Sequence, residues 1–322
     1  MPVKRQTNDA VHLAITPACG KLGGTFTNAN AGVVTTGIKT LVAFVEVEAH
    51  SAPSWSKTSS ELLYQITDTC LNTRNDRPDS YTFGGRSDGG PLSPAVLNDT
   101  NPLAGGRGTD GPVWAEDLAS DFGATIKDYA ERLRDLALKP PRSLIISLKQ
   151  FGAVVLNVAH WPNKVGASDF PPASLRNGGI SSADGNQLPQ AADLLTQIKQ
   201  LAAAPTYAKN IVVLDDYGRG SHLHTGDAFK QAVFAGLTPL RTQGFNVAYV
   251  DFTPLWDAVL GTTSGLAAFG YETSGSCIPT LDQKDLSGEC STPLNAFYWL
   301  PKHPSKETHR VMAVTISGSP SF

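Results

Sequence analysis

The sequence predicts a doubly wound α/β layer sandwich built on a parallel sheet. Three observations lead there. Short Val-rich runs bounded by turn residues recur along the chain, and helical patterns lie between them. The length, 322 residues, is enough to bury a sizeable core in one large α/β domain or two small ones.

In chain order, Thr40–Phe44 (TLVAF) reads as the first buried strand, and Ala124–Tyr129 (ATIKDY) as a weaker one. Ala153–Val158 (AVVLNV), Asn210–Asp215 (NIVVLD) and Asn246–Asp251 (NVAYVD) complete the set. Between them, Ala191, Leu194, Leu195, Ile198, Leu201 and Ala202 fall on one helical face, and Asp227 to Arg241 repeats that pattern. Strand–helix alternation of this kind makes parallel βαβ units. Sites in such sheets form at the carboxyl ends of the strands.

Composition excludes several classes. With 26 basic and 29 acidic residues the formal charge is −3, which gives no electrostatic reason to expect nucleic acid or an anionic membrane as partner. No apolar run reaches the roughly 18 residues of a membrane span. Met1 to Val11 contains Lys4 and Arg5 but no apolar stretch, so no signal peptide is visible. Of the cysteines Cys19, Cys70, Cys277 and Cys290, the last two lie close in a Gly/Ser/Pro-rich stretch. They are read as a short disulfide loop, with two free thiols as the alternative. Asn98-Asp99-Thr100 is a glycosylation sequon in a turn-rich loop.

The chemistry-bearing residues form an ordered set. Asp79-Ser80-Tyr81-Thr82 is followed by Gly84-Gly85, Asp88-Gly89-Gly90, Asn101-Pro102-Leu103 and Gly111-Pro112-Val113-Trp114. Near the other end stand Phe297-Tyr298-Trp299-Leu300-Pro301-Lys302-His303 and the stretch His303–Arg310 (HPSKETHR). Further blocks are Thr16–Gly20, Trp161–Lys164 and Asp215–Gly220. This set resembles the GDSL (SGNH) hydrolases, in particular the fungal acetylesterases of carbohydrate esterase family 16. The resemblance implies a single three-layer α/β/α, flavodoxin-like domain over residues 1–322. It also implies a Ser–His acyl-enzyme mechanism that deacetylates plant-wall sugars.

On that resemblance Ser80 is the nucleophile and His303 the base. A serine hydroxyl needs a base within hydrogen-bond reach, and imidazole suits the role because it titrates near neutrality. Pro304 and Ser305 are expected to open a helix with Ser305 as N-cap. The oxyanion hole is assigned to the backbone N–H groups of Ser80 and Gly152, the latter from the family's Gly-Gly-Ala block. No cofactor or metal is expected. The partners are a small-molecule or oligosaccharide ester, with no nucleic acid and no membrane span. The chain is expected to be a monomer, extracellular by resemblance.

The chain departs from the family in four places. Val45–Pro78 separates the first strand from Ser80, and Pro78 replaces the usual glycine. Glu131–Gln150 is a second inserted segment. The Gly-x-Asn-Asp block and its central strand are absent between Phe170 and Asp184, so the sheet must close up or Leu144–Leu148 must fill the slot. Leu300 stands where the acid partner of the histidine usually stands, which leaves a Ser–His dyad or a backbone carbonyl to orient the imidazole. Insertions and loss all fall at motif junctions, which points to retained introns and a skipped exon segment. Little esterase activity is expected from such a chain. The alternatives are a lipid-type GDSL acylhydrolase, a non-catalytic carbohydrate-binding relative and a misfolded product.

Weaker candidates have blander readings. His222 and His224 would share one strand face and could ligate a metal, but no carboxylate cluster supports them. Asp215-Asp216 reads as a capped turn tied by Arg219. Trp114 reads as packing at a helix start, and Tyr81 as either packing or substrate contact.

Overall fold

The computed structural model describes residues 10–16, 33, 38–46, 84, 90–92, 108–128, 153–158, 191–192, 195–196, 198–199, 202, 208, 210–215, 224–261, 265–280, 285–301 and 303–318. The architecture is α/β around a parallel sheet. Its strands are β1 (Thr40–Glu46), β2 (Thr125–Asp128), β3 (Ala153–Val158), β4 (Asn210–Asp215) and β5 (Asn246–Asp251). They lie in the order β2-β1-β3-β4-β5 and every pairing is parallel.

The helices are α1 (Trp114–Phe122), α2 (His224–Thr242), α3 (Thr253–Leu260), α4 (Gly265–Ala268) and α5 (Lys306–Ser317). Side chains along β4 and β5 alternate between two cores, as period-two geometry requires. Val212, Leu214, Ala248 and Val250 join Leu41 and residues of α1, α3 and α5. Ile211, Val213, Val247 and Tyr249 instead meet Phe229, Val233, Leu237 and Leu240 of α2, with Ala191, Ile198 and Ala202. Burial on both faces explains why these strands read as continuous apolar runs.

A second, three-stranded sheet follows: β6 (Thr273–Ser276), β7 (Ala296–Leu300) and β8 (His303–Pro304), in that order. Phe297 of β7 anchors it to the main core. Its ring lies 5.8 Å from Trp256, 5.3 Å from Tyr271 and 4.6 Å from Tyr298, each edge-on. Cys277 and Cys290 form a disulfide with Cα atoms 4.7 Å apart, and it closes the loop between β6 and β7.

Three details differ from the sequence reading. Strand β1 runs on through Val45 and Glu46, which pair with Asn157 and Val158, so the segment beginning at Val45 opens as strand. The slot between β1 and β4 is occupied by β3 itself, and β1 and β4 both pair with it directly. His224 opens helix α2, so it does not share a strand face with His222. The helix predicted over Asp227 to Arg241 starts earlier, at His224.

Candidate active site

His303 is placed by the antiparallel pairing of β7 and β8. Leu300 pairs with His303 and Tyr298 with Pro304. The expected acid position, Leu300, is therefore the strand partner of the histidine, and its side chain is buried in the core. The turn supplies something else. His303 Nδ1 lies 2.9 Å from the carbonyl oxygen of Pro301. A carbonyl only accepts, so the proton of the neutral ring resides on Nδ1 and the Nε2 lone pair is left for other work. His303 is 6% exposed, so its ring orientation is held by packing as well.

The helix after His303 is capped twice. Ser305 Oγ accepts the Thr308 N–H at 3.3 Å, the ordinary N-cap bond. Asp110, from the segment before α1, accepts the Lys306 N–H at 2.7 Å through Oδ1, and its Oδ2 lies 3.0 Å from the Lys306 ammonium. Thr308 Oγ1 lies 2.7 Å from the Phe297 carbonyl oxygen and 3.0 Å from the Tyr271 hydroxyl. The Thr308 hydroxyl is the donor in both contacts. Burial pushes the Tyr271 hydroxyl well above the ordinary tyrosine range, against a lowering by the Thr308 hydrogen bond, and keeps the phenol protonated. These bonds tie the histidine-bearing hairpin to the start of α5.

The segment Gly108–Val113 runs over the same region. Gly108 lies against the imidazole. A Cβ there would overlap His303 Cδ2 and approach Cγ and Nε2 to 3.2 Å. Further on, His309 Nδ1 accepts the Trp114 N–H at 3.3 Å, and Glu116 accepts the Val113 N–H at 3.0 Å. Both satisfy amides at the start of α1, where Val113 has no side-chain acceptor. His309 thus holds the opposite tautomer from His303, with its proton on Nε2. Asp121 and Arg310 then join α1 to α5 through a buried pair at 2.8 Å.

Two of the carboxylates at the carboxyl edge of the parallel sheet are buried and bonded. Asp128, the last residue of β2, is fully buried and accepts the Gly84 N–H at 2.5 Å. Asp251, the last residue of β5, pairs with Lys230 at 2.8 Å and accepts the Thr253 N–H at 2.9 Å.

Ser80 and Gly152 lie outside the described residues, as do Tyr81, Asp216, Arg219 and His222. Trp114 is wholly buried at the first turn of α1, where it packs. Gly108, Asp110, Lys306 and Asp128 escaped the sequence reading. Asp128 had a usable signal, because it is a carboxylate closing a candidate strand. Asp110 had none, because its partner is 196 residues away. Among the described residues, no cluster of three or more potential metal ligands is present, and no helix is long and apolar enough to cross a membrane. A scan against protein-family models and a search of curated proteins each find no match for the chain.

Proposed function

We propose that the chain is a serine ester hydrolase of the GDSL (SGNH) type that removes acetyl groups from short sugars through a Ser80 acyl-enzyme. The observation that carries the reading is the tautomer of His303. With Nδ1–H bound to the Pro301 carbonyl, Nε2 is available as general base without any acid partner. In this mechanism Ser80 Oγ attacks the acetyl carbonyl carbon while His303 Nε2 takes its proton. The tetrahedral intermediate collapses as the imidazolium returns that proton to the leaving sugar oxygen. Water, deprotonated by the same nitrogen, then releases acetate.

Three features support the reading. The strand order matches the one expected of a flavodoxin-like sheet, and separate cores on opposite faces of β4 and β5 support a layered reading. The Gly84–Asp128 bond ties the stretch after Asp79-Ser80 to the carboxyl edge of the sheet. Ser80 is four residues away, so chain connectivity alone keeps it within about 14 Å of Gly84. The disulfide fits an oxidising compartment, in keeping with an extracellular enzyme.

The oxyanion hole is less complete. The Ser80 N–H is retained in it. Gly152, the second assigned donor, lies outside the described residues and remains an assignment by resemblance. A full triad can lose up to roughly 10⁴ in rate when its acid is removed, and the carbonyl recovers only the orientation part of that. The expected activity is therefore weak. Slow hydrolysis of 4-nitrophenyl acetate, abolished in Ser80→Ala and in His303→Ala, is the predicted result. Hydrolysis that survives Ser80→Ala unchanged would overturn the proposal. Leu300 in the acid position favours one second reading, a carbohydrate-binding relative without catalysis. It predicts sugar binding with no turnover.

A further inference from the structure

We infer that Gly108 and Asp110 are positioning residues for His303. The short segment they belong to seats the imidazole and fixes its Nε2 edge. This rests on the reading of His303 as a base, and it concerns residues that the motif itself does not contain.

The ring is held along two edges. Its Nδ1 edge faces the Pro301 carbonyl within its own hairpin. Its Cδ2 edge faces the Gly108 backbone, so closely that a single methyl group there would displace the ring. Rotation about the Cβ–Cγ bond would have to break the first contact and collide with the second. Gly108 does this by lacking a side chain, and any larger residue moves Nε2.

A glycine can act as a wall only if its own position is held. Asp110 does that. One carboxylate takes both the backbone N–H and the ammonium of Lys306, three residues beyond His303. Capping of α5 does not by itself account for this arrangement, because Ser305 already provides the helix with an N-cap. The double grip instead sets the spacing between the Gly108 segment and the hairpin. A charge-assisted bond to backbone N–H combined with an ion pair is stiffer than either alone.

The test uses the whole chain and two readouts. Long-range ¹⁵N–¹H spectra, recorded where the rings are neutral, report the tautomer of each histidine. In the wild type His303 should show Nδ1–H and His309 the opposite pattern, so His309 is an internal control. In Gly108→Ala and Asp110→Ala the His303 signals should move toward mixed tautomers while those of His309 stay. With 4-nitrophenyl acetate, kcat should fall by roughly 100-fold in Gly108→Ala with KM little changed, since a misplacement near 1 Å costs about that much. Asp110→Asn, which keeps an acceptor for the Lys306 N–H, should restore most of what Asp110→Ala loses. A merely structural aspartate would lower the unfolding midpoint without changing tautomer or kcat. An unchanged His303 tautomer in both alanine variants would overturn the inference. If the wild type hydrolyses nothing, the hydrolase reading fails, and the spectra alone decide the role of the segment. If Gly108→Ala does not fold, the Asp110 pair of variants carries the same test.

Discussion

Two aspartates in this molecule make nearly the same bonds for different ends. Asp251 closes β5, accepts the first N–H of α3 and pairs with Lys230. Asp110 precedes α1, accepts the first N–H of α5 and pairs with Lys306. The Asp251–Lys230 side chains are both 6% exposed, and Lys230 also donates to Thr253 at 2.8 Å. The Lys306 side chain is 21% exposed. The first pair is a buried internal tie between α2, β5 and α3. The second lies partly in solvent, near the buried His303. Similar chemistry therefore serves stability in one place and placement in the other.

The largest expected effect breaks the first pair. Lys230→Met leaves the Asp251 carboxylate buried and unpaired, which should cost roughly 3–5 kcal/mol in urea unfolding. A loss below about 1 kcal/mol would mean that water reaches Asp251 and that the two pairs differ less than their burial implies. Next comes the disulfide. Cys277 and Cys290 are 13 residues apart, and opening a loop of that size by the double serine substitution should cost about 3 kcal/mol. The effect should appear as a lower urea midpoint that reductant no longer changes.

Asp110→Ala should sharpen the comparison from the other side. Its stability cost should be about 1 kcal/mol, the scale of a helix cap and a partly solvated pair. Stability near that of the wild type together with an altered histidine tautomer would separate placement from stability cleanly. The smallest effect concerns Tyr271. Its folded-state hydroxyl titrates above the ordinary 10.0, so the stability it contributes is complete below that pH and falls as pH rises beyond it. Tyr271→Phe should cost roughly 1 kcal/mol at neutral pH and lessen the alkaline decline. Unfolding midpoints measured on either side of pH 10 check both parts.

What was legible in the sequence follows from which forces write themselves locally. Four strands of the main sheet were readable as Val-rich apolar runs such as NIVVLD and NVAYVD, and the edge strand TIKD only as a weaker candidate because it lacks such a run. The small sheet was not. Its strand Thr273–Ser276 reads TSGS, with no apolar period, and is held by pairing with β7 beside the disulfide. The misplaced His224 shows the limit of alternation over three residues: a helix stripe that begins further on overrode it. At the candidate site, His303 and the Ser305 cap were readable as motif. A backbone carbonyl was one of two alternatives left open for orienting His303, and that it is the Pro301 carbonyl was not readable, because a backbone group has no residue type to announce it. Asp110 was hidden by distance along the chain, and Gly108 by the anonymity of a glycine whose role is to leave room.

The central claim is that Ser80 and His303 act on one another. A fluorophosphonate probe on the intact protein, with the labelled peptide located by mass spectrometry, tests it most directly. The account predicts labelling at Ser80 that is lost in His303→Ala, a variant that should still fold. Labelling elsewhere, or labelling of Ser80 that does not depend on His303, would contradict it.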